Sequence, residues 1–282
     1  MKNILFCGYG KLGTSCIKKL IEQGYNISYI LTHKELKDDS VDTFSLKNGI
    51  EYSYLDTRNS KVWYKEFFSG MDLYYLVSIN YRYIIPKEIF TIPRYSINIH
   101  GSLLPKYRGR TPHVWSIING EEYSGITCHF IEEGVDTGNI IEQISIKIEE
   151  DDTGHTLLTK FENLYPSLLM KSINKLEQNY ITIAQDESNA SYFGKRTPDM
   201  GYIDFYKKSV QVINFVRAQA HPYPGAYYYL NDGKKIIINK IISTNENYNL
   251  IDSIGNIRFF HNGYYVKCLD SVLKIIDYQV KD

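Results

Sequence analysis

Lys2-Asn3-Ile4-Leu5-Phe6-Cys7-Gly8-Tyr9-Gly10-Lys11-Leu12-Gly13 carries a short apolar run into a glycine-rich turn. A helical pattern follows, with Cys16, Ile17, Leu20 and Ile21 spaced to share one face and Gly24 placed to end it. Asn26-Ile27-Ser28-Tyr29-Ile30-Leu31 then reads as a second buried strand. Strand, glycine turn, helix and strand make a βαβ unit, and such a crossover implies a parallel sheet covered by helices. Further strands are expected at Leu73–Ile79, Ser96–His100 and Ile126–Ile131. A longer helix from Thr153 places Leu157, Phe161, Leu164, Leu168 and Leu169 on one side, and Pro166 is expected to kink or break it.

The polar stretch Gln185 to Ser191 and the run Gly194-Lys195-Arg196-Thr197-Pro198-Asp199-Met200-Gly201 mark a seam between residues 1–200 and a small domain over 201–282. In the small domain Ser209 to Ala220 is spaced as a helix. Asn231-Asp232-Gly233 joins strands at Ala226–Leu230 and Lys235–Ile242 as a hairpin, and Arg258 to Tyr278 continues in short strands. The expected fold class is α/β: a Rossmann-like, mostly parallel sheet with a small β-rich C-terminal domain. A tail of that size is marginal alone and suits packing against a second subunit, so a homodimer is expected.

The 282 residues carry 32 Lys+Arg against 32 Asp+Glu, with 43% hydrophobic residues. This is globular rather than disordered usage, and the neutral balance argues against non-specific nucleic-acid or anionic-membrane binding. No apolar run approaches the roughly 20 residues of a bilayer crossing. Gly8 interrupts the apolar start too soon for a signal peptide, so a cytoplasmic location is expected. Cys7, Cys16, Cys128 and Cys268 show neither metal-type spacing nor a disulfide framework. Tyrosine is over-used at 26 residues, but clusters such as Tyr227-Tyr228-Tyr229 fit the aromatic preference of strands and say little about function.

Gly8, Gly10 and Gly13 match the dinucleotide fingerprint G-x-G-x-x-G, after a strand and opening a helix. The acid required at the end of the second strand is absent there: that strand ends Leu31-Thr32-His33-Lys34, and Glu35 falls in the loop. The half-present fingerprint leaves three readings: a dinucleotide site, a structural turn, or contact with another phosphate-bearing ligand through Gly10 and Lys11.

Chemistry-bearing residues concentrate in Ile97-Asn98-Ile99-His100-Gly101-Ser102-Leu103-Leu104-Pro105-Lys106-Tyr107-Arg108-Gly109-Arg110-Thr111-Pro112 and in Glu132-Glu133-Gly134-Val135-Asp136-Thr137-Gly138. Asn98 and His100, two apart at a strand end, share a face at the carboxyl edge of the sheet, where open α/β folds place ligands. Singly, each has an ordinary explanation, and an aspartate before Thr-Gly is usually a turn former. An amide, an imidazole and a carboxylate together at strand ends make a site.

These blocks, in this order and separation, resemble the signature of 10-formyltetrahydrofolate-dependent formyltransferases, a group that includes methionyl-tRNA formyltransferase. The resemblance covers residue 1 to about 230 and is strongest from Ser78 to Ile141. The string His100 to His113, with Phe193-Gly194-Lys195-Arg196-Thr197-Pro198 and Pro222-Tyr223-Pro224-Gly225-Ala226, is most similar to the branch acting on amino groups of nucleotide-linked sugars.

The resemblance implies that a sugar amine attacks the formyl carbon of 10-formyltetrahydrofolate. The tetrahedral oxyanion then expels tetrahydrofolate, with no metal and no covalent acyl-enzyme. His100 would carry protons, Asn98 would donate to the oxyanion, and Asp136 would orient and stabilise the imidazole. The pterin would lie against Tyr83, Ile84 and Ile85 and the loop Glu132, Glu133, Gly134, Val135 and Asp136, with Arg110 a further cofactor contact. Ser102, Arg108 and Tyr223 join Gly10 and Lys11 as candidate substrate contacts, while His113 receives no role. The expected partner is a nucleotide sugar rather than nucleic acid or membrane. A dTDP-4-amino-4,6-dideoxyhexose is favoured, the gluco isomer or a close relative, for O-antigen synthesis. The alternatives are a methionyl-tRNA formyltransferase, a formyltetrahydrofolate hydrolase and a non-enzymatic Rossmann nucleotide-binding module. A tRNA partner would ask for a basic face that a neutral chain does not advertise.

Overall fold

The computed structural model describes residues 2–59, 61–244, 251, 253–260 and 263–281. They form two compact units: Met1–Gly109 with Gly125–Ser145 and Lys160–Tyr192, and Arg110–Ser124 with Ile146–Thr159 and Phe193–Asp282. Among the described residues no helix is long and apolar enough to cross a membrane.

In the first unit β1 (Asn3–Gly8), α1 (Gly10–Glu22) and β2 (Asn26–Leu31) build the βαβ unit, and Gly24 at φ +80 closes the helix. Ile4 to Cys7 are fully buried, as expected of a central parallel strand covered on both faces. α1 buries Leu12, Cys16, Ile17 and Leu20, whereas Ile21 is 42% exposed. It falls at the edge of a stripe centred near Cys16 and Leu20.

The alternation continues through α2 (Val41–Lys47), β3 (Tyr52–Ser53), α3 (Lys61–Ser69), β4 (Leu73–Ile79), α4 (Lys87–Phe90) and β5 (Tyr95–His100). After β6 (Arg108–Gly109) and α5 (Pro112–Ile118) come β7 (Tyr123–Phe130) and β8 (Ile140–Lys147). The seven-stranded order is β3-β2-β1-β4-β5-β7-β8. Strands β3 to β5 pair in parallel and β7 joins β5 antiparallel, giving the expected mostly parallel sheet.

α6 (Gly154–Glu177) passes through Pro166 unbroken, which corrects the expected break. Phe161 and Tyr165 before the proline and Leu168, Leu169, Ile173 and Leu176 after it are all buried. That continuous apolar stripe outweighs the one hydrogen bond proline cannot donate.

After β9 (Tyr192–Phe193), the second unit places α7 (Ser209–Ala218) with a five-stranded sheet ordered β10-β11-β14-β13-β12. These strands are β10 (Ala226–Tyr229), β11 (Lys235–Ser243), β12 (Ile257–Phe260), β13 (Gly263–Lys267) and β14 (Val272–Lys281), all pairing antiparallel. Val212 and Val216 of α7 share one core with Ile236, Ile238, Val266 and Ile275. The helix is shorter than its expected end at Ala220. The Asn231-Asp232-Gly233 turn forms with Gly233 at φ +85. Within Arg258 to Tyr278, residues 261 and 262 lie outside the described residues.

Candidate active site

β5 and β7 pair with Asn98 opposite His129 and His100 opposite Thr127. Residues opposed across a ladder share a face, and Asn98 Nδ2 lies 3.1 Å from His129 Nε2. His129 Nδ1 is 2.8 Å from the Phe130 carbonyl oxygen, which only accepts. Nδ1 therefore donates, and Nε2 turns a lone pair to the Asn98 amide. This aims the carboxamide NH2 at His129 and leaves its second N–H free to donate elsewhere. Sequence reasoning missed His129: between Cys128 and Phe130 it carries no local signal, and only the strand pairing gives it a partner.

Asp136 arrives from the loop between β7 and β8 in a left-handed conformation, φ 56. The loop comes close to its own strand because position 138 is glycine, where a Cβ would sit 2.0 Å from the Phe130 carbonyl oxygen. Gln185 fastens it, donating through Nε2 to the Asp136 and Gly138 carbonyls at 2.8 and 2.7 Å. The Gly109 N–H donates to Asp136 Oδ2 at 2.9 Å.

The carboxylate stands between two imidazoles. Oδ2 is 3.5 Å from His100 Nδ1 and Oδ1 is 3.6 Å from His129 Nε2. Burial alone would raise this carboxyl. The His100 charge, with the Gly109 N–H, acts against it and holds Asp136 well below the usual carboxylate range. On its other side, the His100 ring donates through Nε2 to the Tyr107 carbonyl at 2.8 Å. Both nitrogens of His100 thus face acceptors. The structure brings Asn98, His100 and Asp136 together, with His129 as the link between amide and carboxylate.

Two of the expected substrate contacts need correction. Arg108 has 0% exposure. Its guanidinium donates to Gln185 Oε1 at 2.7 Å, to Glu187 at 2.6 and 2.9 Å, and to the Tyr192 hydroxyl. Ser102 is also fully buried and donates to the Lys106 carbonyl at 2.6 Å. Both are spent on holding the chain after β5.

The other expected site residues are placed as follows. Lys11 pairs with Glu162 at 3.2 Å. Glu35 Oε2 lies 3.9 Å from where a Cβ on Gly10 would be, so a carboxylate faces the glycine turn and its charge opposes a diphosphate there. Tyr83, Ile84 and Ile85 follow β4, with Ile84 63% exposed and Ile85 buried. Glu132, Glu133, Gly134 and Val135 are exposed, and Glu133 pairs with Lys87 at 2.5 Å. In the second unit the Arg110 side chain is exposed while its N–H donates to the Phe193 carbonyl at 2.9 Å. There the Tyr223 hydroxyl lies 2.9 Å from His113 Nε2, giving His113 a partner.

Residues 28–173 match the family described as formyl transferase, and residues 195–282 match the formyl transferase C-terminal domain. The chain belongs to the formyl transferase family. It is 36% identical over 289 residues to the bifunctional polymyxin resistance protein ArnA of Wigglesworthia glossinidia brevipalpis, covering 99% of this chain and 43% of that protein. The chain thus spans less than half the length of this relative. WlaRD, a sugar 3N-formyl transferase solved in the presence of dTDP and 5-N-formyl-THF, is 25% identical. Its TM-score is 0.76, with 98% of this chain and 97% of that one covered. The N-formyltransferase of Helicobacter canadensis, solved with folinic acid and dTDP-3-aminofucose, gives a TM-score of 0.77 at 22% identity, with coverages of 99% and 100%. That second likeness is one of fold. Family, fold class and enzyme class agree with the expectation from sequence.

Proposed function

We propose that this formyl transferase moves a formyl group from 10-formyltetrahydrofolate to the amino group of a nucleotide-linked sugar. The observation that carries the reading is the placement of Asp136 between His100 and His129, with the Asn98 amide aimed by His129. The sugar nitrogen attacks the formyl carbon, and the carbonyl electron pair moves onto oxygen. The free N–H of Asn98 is the donor for that oxyanion; one such donor contributes on the order of 3 kcal/mol in comparable sites. As the bond to the folate nitrogen breaks, that nitrogen takes up a proton and the amine loses one. His100, backed by an ionised Asp136, is the group that carries it once its Nε2 turns from the Tyr107 carbonyl to the substrate.

The donor's pterin is assigned to the backbone of residues 83–85 and the loop 132–136. The dTDP and dTDP-3-aminofucose found with two structural relatives support a dTDP-linked amino sugar; the 4-amino-4,6-dideoxyhexose for a surface polysaccharide is the choice that the sequence resemblance favours. The test is incubation of the purified protein with 10-formyltetrahydrofolate and a panel of nucleotide amino sugars, read by mass spectrometry. Gain of one CO unit by a dTDP-amino sugar is the expected result. Formylation of methionyl-tRNA with no sugar product, or release of formate alone, would overturn it.

A further inference from the structure

The backbone of residues 80–85 carries Tyr83, Ile84 and Ile85 and is tethered at three points. Asn80, at φ 57, donates its side-chain amide to the Tyr9 carbonyl at 3.4 Å. Thr57 Oγ1, fully buried, donates to the Ile84 carbonyl at 3.1 Å. Between them the Arg82 backbone N–H donates to His33 Nε2 at 3.0 Å. The first two tethers end on groups that do not titrate near neutrality. The third ends on an imidazole lone pair. A backbone amide can only donate, so this bond exists only while Nε2 is unprotonated.

The surroundings of His33 fix the ring in place. It stacks on Tyr81 at 4.9 Å between centroids and meets Tyr83 and Tyr9 edge-on at 4.5 and 5.5 Å. Two cations face the cluster, Arg82 at 3.9 Å from the Tyr9 ring and Arg58 at 4.8 Å from the Tyr83 ring. One carboxylate, Asp56, binds Arg58 at 2.9 Å. Lys34 and Glu35 follow His33 on its own segment. The arginines oppose a charge on the ring, and Asp56 favours one. Nothing in the catalytic cluster of Asn98, His100, His129 and Asp136 uses this histidine.

We propose that His33 is a positioning residue for the formyl donor: its neutral ring holds the Arg82 peptide and so presents the backbone of residues 83–85 to the pterin. Protonation of Nε2 removes the acceptor and frees that peptide. The proposal rests on the donor site assigned above.

The test compares wild type, His33→Gln and His33→Ala. Glutamine reaches far enough to offer an acceptor oxygen near the Nε2 position and does not titrate. His33→Ala should raise KM for the formyl donor and Kd for 5-formyltetrahydrofolate about tenfold, the effect of one stranded amide donor. The KM for the nucleotide sugar should stay within about threefold, since only the donor loop is freed. His33→Gln should bind the donor like wild type. Between about pH 8 and pH 5.5 the wild-type Kd should weaken while that of His33→Gln stays level. A donor KM unmoved in His33→Ala, a loss as large in His33→Gln, or the same pH dependence in wild type and His33→Gln would each overturn the proposal. Should His33→Ala fail to fold, the pH comparison with His33→Gln decides it. If wild type binds no formyl donor at any pH, the donor site itself is wrong.

Discussion

The Arg108 guanidinium and the Asp136 backbone are joined through one side chain: Gln185 accepts from Arg108 through Oε1 at 2.7 Å and donates to the Asp136 carbonyl through Nε2 at 2.8 Å. An arginine that the sequence offers as a substrate contact is instead a support beneath the carboxylate loop. Gln185→Ala should therefore leave the circular dichroism spectrum unchanged yet lower kcat by about tenfold, because a small misplacement of a catalytic group is costly. Arg108→Lys should not be conservative, since an ammonium cannot make the guanidinium's forked contacts. A loss of about 2 kcal/mol in urea unfolding is expected from the stranded Gln185 oxygen and its neighbours.

His100→Ala and Asp136→Asn should each lower turnover by about three decades or more with the fold intact. The measurement is formyl transfer in single-turnover conditions beside a thermal melt. Near wild-type rates in both variants would remove them from the chemistry.

His129 makes a separate prediction. His129→Leu deprives the Asn98 amide of its acceptor and should cost about tenfold to a hundredfold in kcat. His129→Gln, which can again accept from Asn98, should recover most of that loss. Equal losses in the two variants would show that His129 acts by some route other than aiming the amide.

Asp42 predicts how the protein responds to acid. It is fully buried and accepts from the N–H groups of Glu35, Leu36 and Thr43, and from the Ser40 and Tyr54 hydroxyls. Burial pushes this carboxyl up, but the donors outweigh it and lower it from 3.8 to about 2. A group lowered on folding stabilises above its unfolded value, and that contribution is lost as pH falls through the folded one. Stability on the order of 2 kcal/mol should thus disappear between about pH 4 and pH 2. Urea titrations across that window should show a shallower slope for Asp42→Asn than for wild type.

The βαβ opening, the strands at Asn26–Leu31 and Leu73–Ile79 and the Asn231–Gly233 hairpin were legible because each is set by spacing within a few residues. What was not legible depends on partners far along the chain. Arg108 looks like a free cation until Gln185, Glu187 and Tyr192 surround it. Pro166 looks like a stop until the apolar stripe on both sides of it is buried. His129 looks like strand filler until Asn98 stands opposite. The cluster of Asn98, His100 and Asp136 was readable because Asn98 and His100 follow the period of one strand and Asp136 follows a glycine-bounded turn.

Asn98 and His129 meet only if β5 and β7 are laid side by side in the correct phase; a shift of one position would send the two side chains to opposite surfaces. A molecule with that error could keep its full content of helix and strand and still be inert. Specific activity therefore counts correctly assembled chains, and will expose a mispaired fraction in a preparation that bulk spectroscopy passes as folded.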